Sequence, residues 1–175
     1  DGVPHMGGDG NRTTPLIEPG GSFTARFTPP RAGTFIYHTH FNDFIQLTGG
    51  LYGALVVVER AAAFDPATDH AFVISLDGAD DTHDAALLNG AGELSPVIWH
   101  VGQRHRLRFI DISAASDARV RLTRDDAPVS WRAIAKDGAD RPAQLATAGK
   151  AELEIFPGET YDFGGGSISM SSSGC

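Results

Sequence analysis

Residues 33–59 read GTFIYHTHFNDFIQLTGGLYGALVVVE, and the fold reading starts from them. Thr34, Phe35, Ile36 and Tyr37 are β-branched or aromatic, the residue types that suit a pleated, half-buried strand. That strand delivers His38-Thr39-His40. Side chains two apart on a strand point to the same face, so His38 and His40 aim into one space and Thr39 faces away. Two parallel imidazoles on a stiff strand suit copper, zinc, nickel or iron. Such a pair also occurs on half-buried strands as ordinary structural histidines. A short polar turn follows at 41–43, then Phe44-Ile45-Gln46-Leu47, then a glycine-led apolar strand. Residues 51–58 carry few polar breaks, the pattern of a strand buried on both sides.

Upstream, residues 22–28 alternate, with Phe23, Ala25 and Phe27 on one face and Thr24, Arg26 and Thr28 on the other. This predicts a half-buried strand. Pro29-Pro30-Arg31-Ala32-Gly33 turns the chain into the histidine strand, and residues 1–20 are loop-like. Downstream, 61–70 reads as a linker around Pro66, and a second unit covers 71–163. In that unit 71–76 is a strand, 77–84 an acidic loop, and Leu87-Leu88-Asn89-Gly90 ends in an Asn-Gly turn. His105, Leu107 and Phe109 alternate with Arg104, Arg106 and Arg108. The arginine stripe reads as a solvent-facing strand surface, with Glu152 and Glu154 as its partners. Val120 and Leu122 alternate with Arg119, Arg121 and Thr123, and Leu153 and Ile155 with Glu152 and Glu154. Residues 130–136 form a strand closed by Asp137-Gly138, and Gly158 leads into Thr160, Tyr161 and Phe163. A glycine before a strand recurs at Gly21, Gly102 and Gly158, as repeated Greek-key units would give. Residues 164–175, GGGSISMSSSGC, cannot bury much and read as a disordered tail.

The fold class is therefore all-β, in sandwich or barrel units, with no helix beyond two turns. A chain of 175 residues can form one large or two small domains, and its 21 glycines and 10 prolines favour turns and short strands. Residues 1–60 offer only about three strands, so the first unit is incomplete as a barrel. The net charge of −8 argues against sequence-independent nucleic-acid binding, which needs a basic footprint. No apolar run approaches the roughly 18 residues of a membrane-spanning helix. Cys175 is the one cysteine, so no intrachain disulfide forms and cysteine usage does not reveal the compartment. The chain opens on Asp-Gly-Val-Pro without an initiator methionine, which reads as a processed, cloned or fragment boundary.

Together these segments resemble the multicopper oxidases, the family of laccases and bilirubin oxidases. The specific part is 37–58: Tyr37-His38-Thr39-His40, a short turn, and Gly50-Leu51-Tyr52-Gly53-Ala54-Leu55-Val56-Val57-Val58. The resemblance runs back through Pro29-Pro30-Arg31-Ala32-Gly33 and Pro19-Gly20-Gly21-Ser22 to Asp1-Gly2-Val3-Pro4. It runs forward, more weakly, through LLNG (87–90), RLRFIDI (106–112), AKDGAD (135–140) and PGETYDF (157–163). It implies cupredoxin-like Greek-key domains: 1–60 as the C-terminal part of a first one, and 71–163 as the copper-free middle one. It implies copper as the cofactor, with His38 and His40 as ligands of the type 3 pair, one to each copper. It also implies that Asp1 helps deliver protons to bound oxygen, a task that suits a carboxylate. Dioxygen and a small reducing substrate would be the partners, and the setting secreted or periplasmic. In the family the trinuclear centre draws on four His-x-His pairs and electrons enter through a cysteine-bound copper. Here His38/His40 is the one such pair, and Cys175 has no flanking histidine. The missing parts would sit in other domains, another chain, or a homo-oligomer.

The remaining candidates are weaker. His5 and Met6 sit in a glycine-rich loop, where soft ligands do not by themselves make a site. Asp80, Asp81, His83 and Asp84 could hold a cation weakly or simply be solvated. His105 falls on the inward face of its strand, as a hydrogen-bonded core histidine would. His100 beside Trp99 starts that strand, and His70 lies in a polar segment. Two functions stay open at this point. One is a part of a laccase-like oxidase that couples one-electron oxidation of phenolic or similar substrates to reduction of dioxygen to water. The other is a truncated, non-catalytic β-sandwich protein with a weak metal site or a protein-contact role.

Overall fold

The histidine stretch folds as a hairpin in a computed structural model that describes residues 17–40, 42–78, 85–93, 99, 102–114 and 116–165. β1 (Gly33–His38) pairs antiparallel with β2 (Tyr52–Val57), from Gly33 opposite Val57 to His38 opposite Tyr52. Between them lies α1 (Asp43–Thr48). Asn42 enters α1 in the left-handed conformation, which asparagine tolerates. The chain leaves α1 as Gly49 N–H donates to Ile45 O and Gly50 N–H to Leu47 O.

The other strands follow in order: β3 (Asp69–Leu76), β4 (Ala86–Leu88), β5 (His105–Asp111), β6 (Ala118–Arg121), β7 (Thr123–Arg124), β8 (Ala127–Pro128), β9 (Ser130–Lys136), β10 (Ala139–Asp140), β11 (Ala148–Lys150), β12 (Glu152–Ile155) and β13 (Thr160–Gly165). A seven-stranded sheet runs β10-β9-β13-β5-β3-β4, with β11 also on β9. β3 and β5 are parallel, and the other pairs in this sheet are antiparallel. β6 pairs with β12, and β7 with β8. The Asn-Gly and Asp-Gly turns form as the sequence predicts. Asn89, Gly90, Asp137 and Gly138 all have positive φ, as a two-residue hairpin of the favoured twist requires.

Period-two alternation gives the large sheet two faces. On one, Phe72, Ile74, Leu107, Phe109, Trp131 and Phe163 make an apolar core with Ala151 and Ile155, flanked by Ala118, Val120 and Leu153. Trp131 stacks on Phe163 with ring centres 3.8 Å apart. On the other face stand Arg106, Arg108 and Ile110 of β5, Val73 and Ser75 of β3, and Thr160 and Asp162 of β13. The histidine hairpin and α1 cover this face: Ile36, Leu47, Tyr52 and Ala54 pack with Val73, Ile110 and Ile112. Neighbouring residues Leu107 and Arg108 are both 2% exposed, one under each cover.

Four expectations are corrected here. The arginine stripe is not solvent-facing along its length: Arg104 is exposed, Arg106 half-buried and Arg108 buried, because the hairpin lies over that face. Glu152 and Glu154 pair with Arg121 and Arg119, their neighbours across the β6–β12 ladder. Residues 22–28 form no strand and are exposed; among the described residues no strand lies beside them to supply a ladder. β2 is half-buried throughout, because β1 is its one ladder partner among the described residues. The regular structure also reaches further than expected at two points. β3 begins at Asp69, inside the expected linker, and β13 runs to Gly165, into the expected tail.

Candidate metal centre

β1 ends at His38, and His40 lies two residues beyond it. The ladder still reaches one residue further, since Thr39 N–H donates to Leu51 O at 3.1 Å. The two imidazoles come together as expected, with ring centres 4.5 Å apart and planes tilted by 33°. His38 Nδ1 lies 2.7 Å from Thr39 O. A carbonyl only accepts, so Nδ1 carries the proton. That tautomer leaves Nε2 with a free lone pair, the form in which a histidine binds metal. Thr39 turns away from the pair, and its hydroxyl donates to Gln46 Oε1 of α1. In the same hairpin the ring of Tyr37 lies across Gly53. A Cβ at Gly53 would sit 2.3 Å from Tyr37 Oη, so the second glycine of the Gly-Leu-Tyr-Gly run makes room for that ring.

The far end of β1 is seated in charged groups. Thr34, 1% exposed, donates its hydroxyl to Asp162 Oδ1 at 2.7 Å and accepts from Arg108 Nη1 at 2.7 Å. Thr160 Oγ1 donates to Thr34 O at 3.1 Å. Arg108 also binds Asp69 bidentately, at 2.6 Å on both branches, and Asp162 at 3.1 Å. Arg106 donates to Asp162 from outside. Beside this network, Arg31 donates to Gly138 O at 2.6 Å and Asp137 O at 2.9 Å. Phe35 packs on Gly138, where a Cβ would lie 2.5 Å from the ring.

Among the described residues no group of three or more His, Cys, Asp or Glu is placed to hold a metal ion. The pair therefore supplies two donors, not a complete coordination sphere. Asp1, His5, Met6, Asp80, Asp81, His83, Asp84, His100 and Cys175 lie outside the described residues.

A second histidine pair went unread in the sequence. His70 Nε2 lies 3.0 Å from His105 Nδ1, and Trp99 stacks with both rings. His105 is buried, as expected for an inward residue, and its Nε2 has no partner among the described residues. His70 titrates below its ordinary value: burial disfavours the cation and His105 adds to that, while Asp69 and Asp65 oppose it. Pairing of these residues depends on β3 lying parallel to β5, which no local signal announces. Asp111 also escaped notice. Its carboxyl is buried, Oδ1 accepts from Ser113 N–H at 2.8 Å, and Oδ2 has no partner among the described residues. Burial pushes its pKa up.

The chain is similar to several known proteins. Residues 1–62 match a family model described as multicopper oxidase. Laccase-1 of Fomitopsis schrenkii is 30% identical over 175 aligned residues, covering 84% of this chain and 30% of that protein. Laccase-2 of Podospora anserina is 29% identical, covering 90% of this chain and 27% of that protein. This chain thus spans about three tenths of the length of these curated relatives. The crystal structure of a multi-copper oxidase from Pseudomonas thermotolerans superposes with a TM-score of 0.67 at 22% identity, covering 93% of this chain and 42% of that one. At that identity the likeness speaks for the fold, which is cupredoxin-like.

Proposed function

Since this chain belongs to the multicopper oxidase family, we propose that it forms part of a laccase-like oxidase in which His38 and His40 are copper ligands. Residues 1–60 would be the C-terminal part of one cupredoxin-like domain, 61–70 a linker, and 71–163 a second domain. The observation that carries the reading is the pair of adjacent imidazoles, with His38 Nδ1 engaged by Thr39 O and Nε2 left open. Imidazole nitrogens are suitable donors for copper. Copper, when bound, supplies one-electron redox chemistry and a place for dioxygen. His38 and His40 would hold it, and Thr39 O would keep the His38 tautomer and ring orientation. Two imidazoles do not complete the sphere, so the reading requires donors from outside the described residues or from another chain. In the intact enzyme the reducing substrate would be a phenol or similar small molecule, dioxygen the acceptor, and Asp1 a proton relay.

The test is copper uptake by the 175-residue chain. Titration calorimetry should show Cu²⁺ bound in preference to Zn²⁺, in line with the general order of divalent affinities. The double change His38→Ala, His40→Ala should remove most of that uptake. Unchanged uptake in the double variant would overturn the assignment. Sustained dye oxidation with oxygen consumption is not expected from this chain by itself, because its sequence holds one His-x-His pair and no histidine-flanked cysteine.

A further inference from the structure

The buried charges under β1 bear on the histidine pair at its other end. Thr34, Ile36 and His38 share one face of β1, because side chains two apart on a strand point the same way. Thr34 enters the network of Arg108, Asp69, Asp162 and Arg106. Ile36 enters the apolar cluster of Val73, Ile110 and Ile112. Both contacts press the same face of β1 onto the large sheet. His38 extends that face about 13 Å beyond Thr34, at roughly 3.3 Å per residue.

We propose that Thr34 and its partners Arg108 and Asp162 form a lock that positions the His38/His40 pair. Three observations support this. First, the lock is specific in direction: a hydroxyl both accepts from Arg108 and donates to Asp162, so one side chain of the right length and polarity satisfies two buried ionic groups. An apolar cover would leave both with an unmet hydrogen bond. Second, the hairpin is held on the large sheet by packing and side-chain contacts, not by a shared ladder; beside the lock these are Thr160 on Thr34 O, Arg31 and Phe35 on the Asp137-Gly138 turn, and the apolar cluster under Ile36. β1 and β2 form a two-stranded sheet of their own, and such a ribbon is marginal without packing. Third, slippage of the hairpin by one residue would turn Thr34 out and bring Gly33 or Phe35 over the charges. The same slip would send His38 to the opposite face. The lock thus selects the register of the strand on the sheet, and with it the side on which the imidazoles stand.

The proposal rests on the copper reading of His38 and His40 for its consequence, and on the hairpin's geometry for its content, so the two are tested separately. The variants are Thr34→Val, which keeps shape and removes the hydroxyl, and Thr34→Ser, which keeps the hydroxyl. Arg106→Gln is a milder loosening of Asp162 should the valine variant fail to fold. Leu153→Ala, in the other sheet, is the control for general destabilisation. Contact of Ile36 with Val73 and Ile110 is read by NMR in the metal-free chain, and Cu²⁺ affinity and its EPR signature in the loaded one. The serine variant should match wild type in both. The valine variant should lose the wild-type contacts of Ile36 with Val73 and Ile110, change the EPR signature and measurably weaken Cu²⁺ binding. Arg106→Gln should shift the same signals partway, and Leu153→Ala should leave them in place. If Thr34→Val keeps the wild-type contacts of Ile36 with Val73 and Ile110, or Leu153→Ala abolishes them equally, the lock has no positioning role. If His38→Ala, His40→Ala still takes up copper as wild type does, the copper reading fails, and the metal-free NMR still decides the lock.

Discussion

The two faces of the seven-stranded sheet are buried to the same degree by opposite means. Under one cover, Leu107, Phe109 and Phe163 pack in an apolar cluster with Ile155. Under the other, Arg108, Asp162, Thr160 and Thr34 are equally hidden beside the smaller apolar cluster of Val73 and Ile110, and the histidine hairpin lies over them. An apolar face needs volume and shape, and many sequences satisfy it. A charged face needs each hydrogen bond met, so it tolerates one cover in one register. The first face makes the fold, and the second chooses how the candidate metal segment sits on it.

The sharpest way to break this comparison is at Arg108. Arg108→Met should cost about 3–5 kcal/mol, because it leaves Asp69 half-buried without its cation and Asp162 buried with Arg106 alone. Adding Asp69→Asn should recover part of that loss, since the stranded charge is then removed. Urea unfolding of both variants gives the answer, and full additivity would argue against a shared network. Leu107→Ala, one position away on the carbon face, should cost about 2–5 kcal/mol through the cavity it opens. That loss should be insensitive to salt, and its copper signature should stay wild-type.

A smaller effect is expected at Asp111. Its folded pKa is raised by burial, so the folded state holds the proton more tightly than the unfolded chain. The stability this group contributes is present below the ordinary carboxyl value and is lost as pH rises through the raised folded value. Asp111→Asn should therefore be more stable than wild type at pH 7, on the order of 1 kcal/mol, with the difference closing as pH falls toward about 4. Thermal unfolding across that range would show it, and a gap that widens on acidification would contradict the burial argument. The smallest effect belongs to Arg119, which pairs with Glu154 at 3.2 Å but is 83% exposed. Arg119→Ala should cost no more than about 0.5 kcal/mol in the same urea measurement. Arg108 and Arg119 sit in similar alternating strands, and the contrast between their losses measures what the hairpin's cover adds.

Much of this was legible along the chain. Alternation at 105–111, 118–122 and 152–155 located β5, β6 and β12, and the Asn-Gly and Asp-Gly pairs located their turns. The His-x-His spacing placed two imidazoles together, and they are together. The failures share one cause. The arginine stripe was assigned to solvent because alternation says which residues share a face, not what lies over it. The 22–28 stretch was assigned to a strand because alternation is necessary for a half-buried strand but does not supply its neighbour. His70 and His105 meet through a parallel pairing across 35 residues of sequence.

Local patterning by itself determined the all-β class, the turns, the facing of His38 with His40, and the likeness to copper oxidases. These depend on near neighbours and on short steric rules that act over a few residues. Tertiary structure alone decided which sheet face is apolar and which is ionic, that Thr34 closes onto Arg108 and Asp162, and that Asp111 keeps an unpaired oxygen. Those depend on groups brought together from distant parts of the chain, where desolvation makes each missing partner costly, and no single stretch of sequence carries that information.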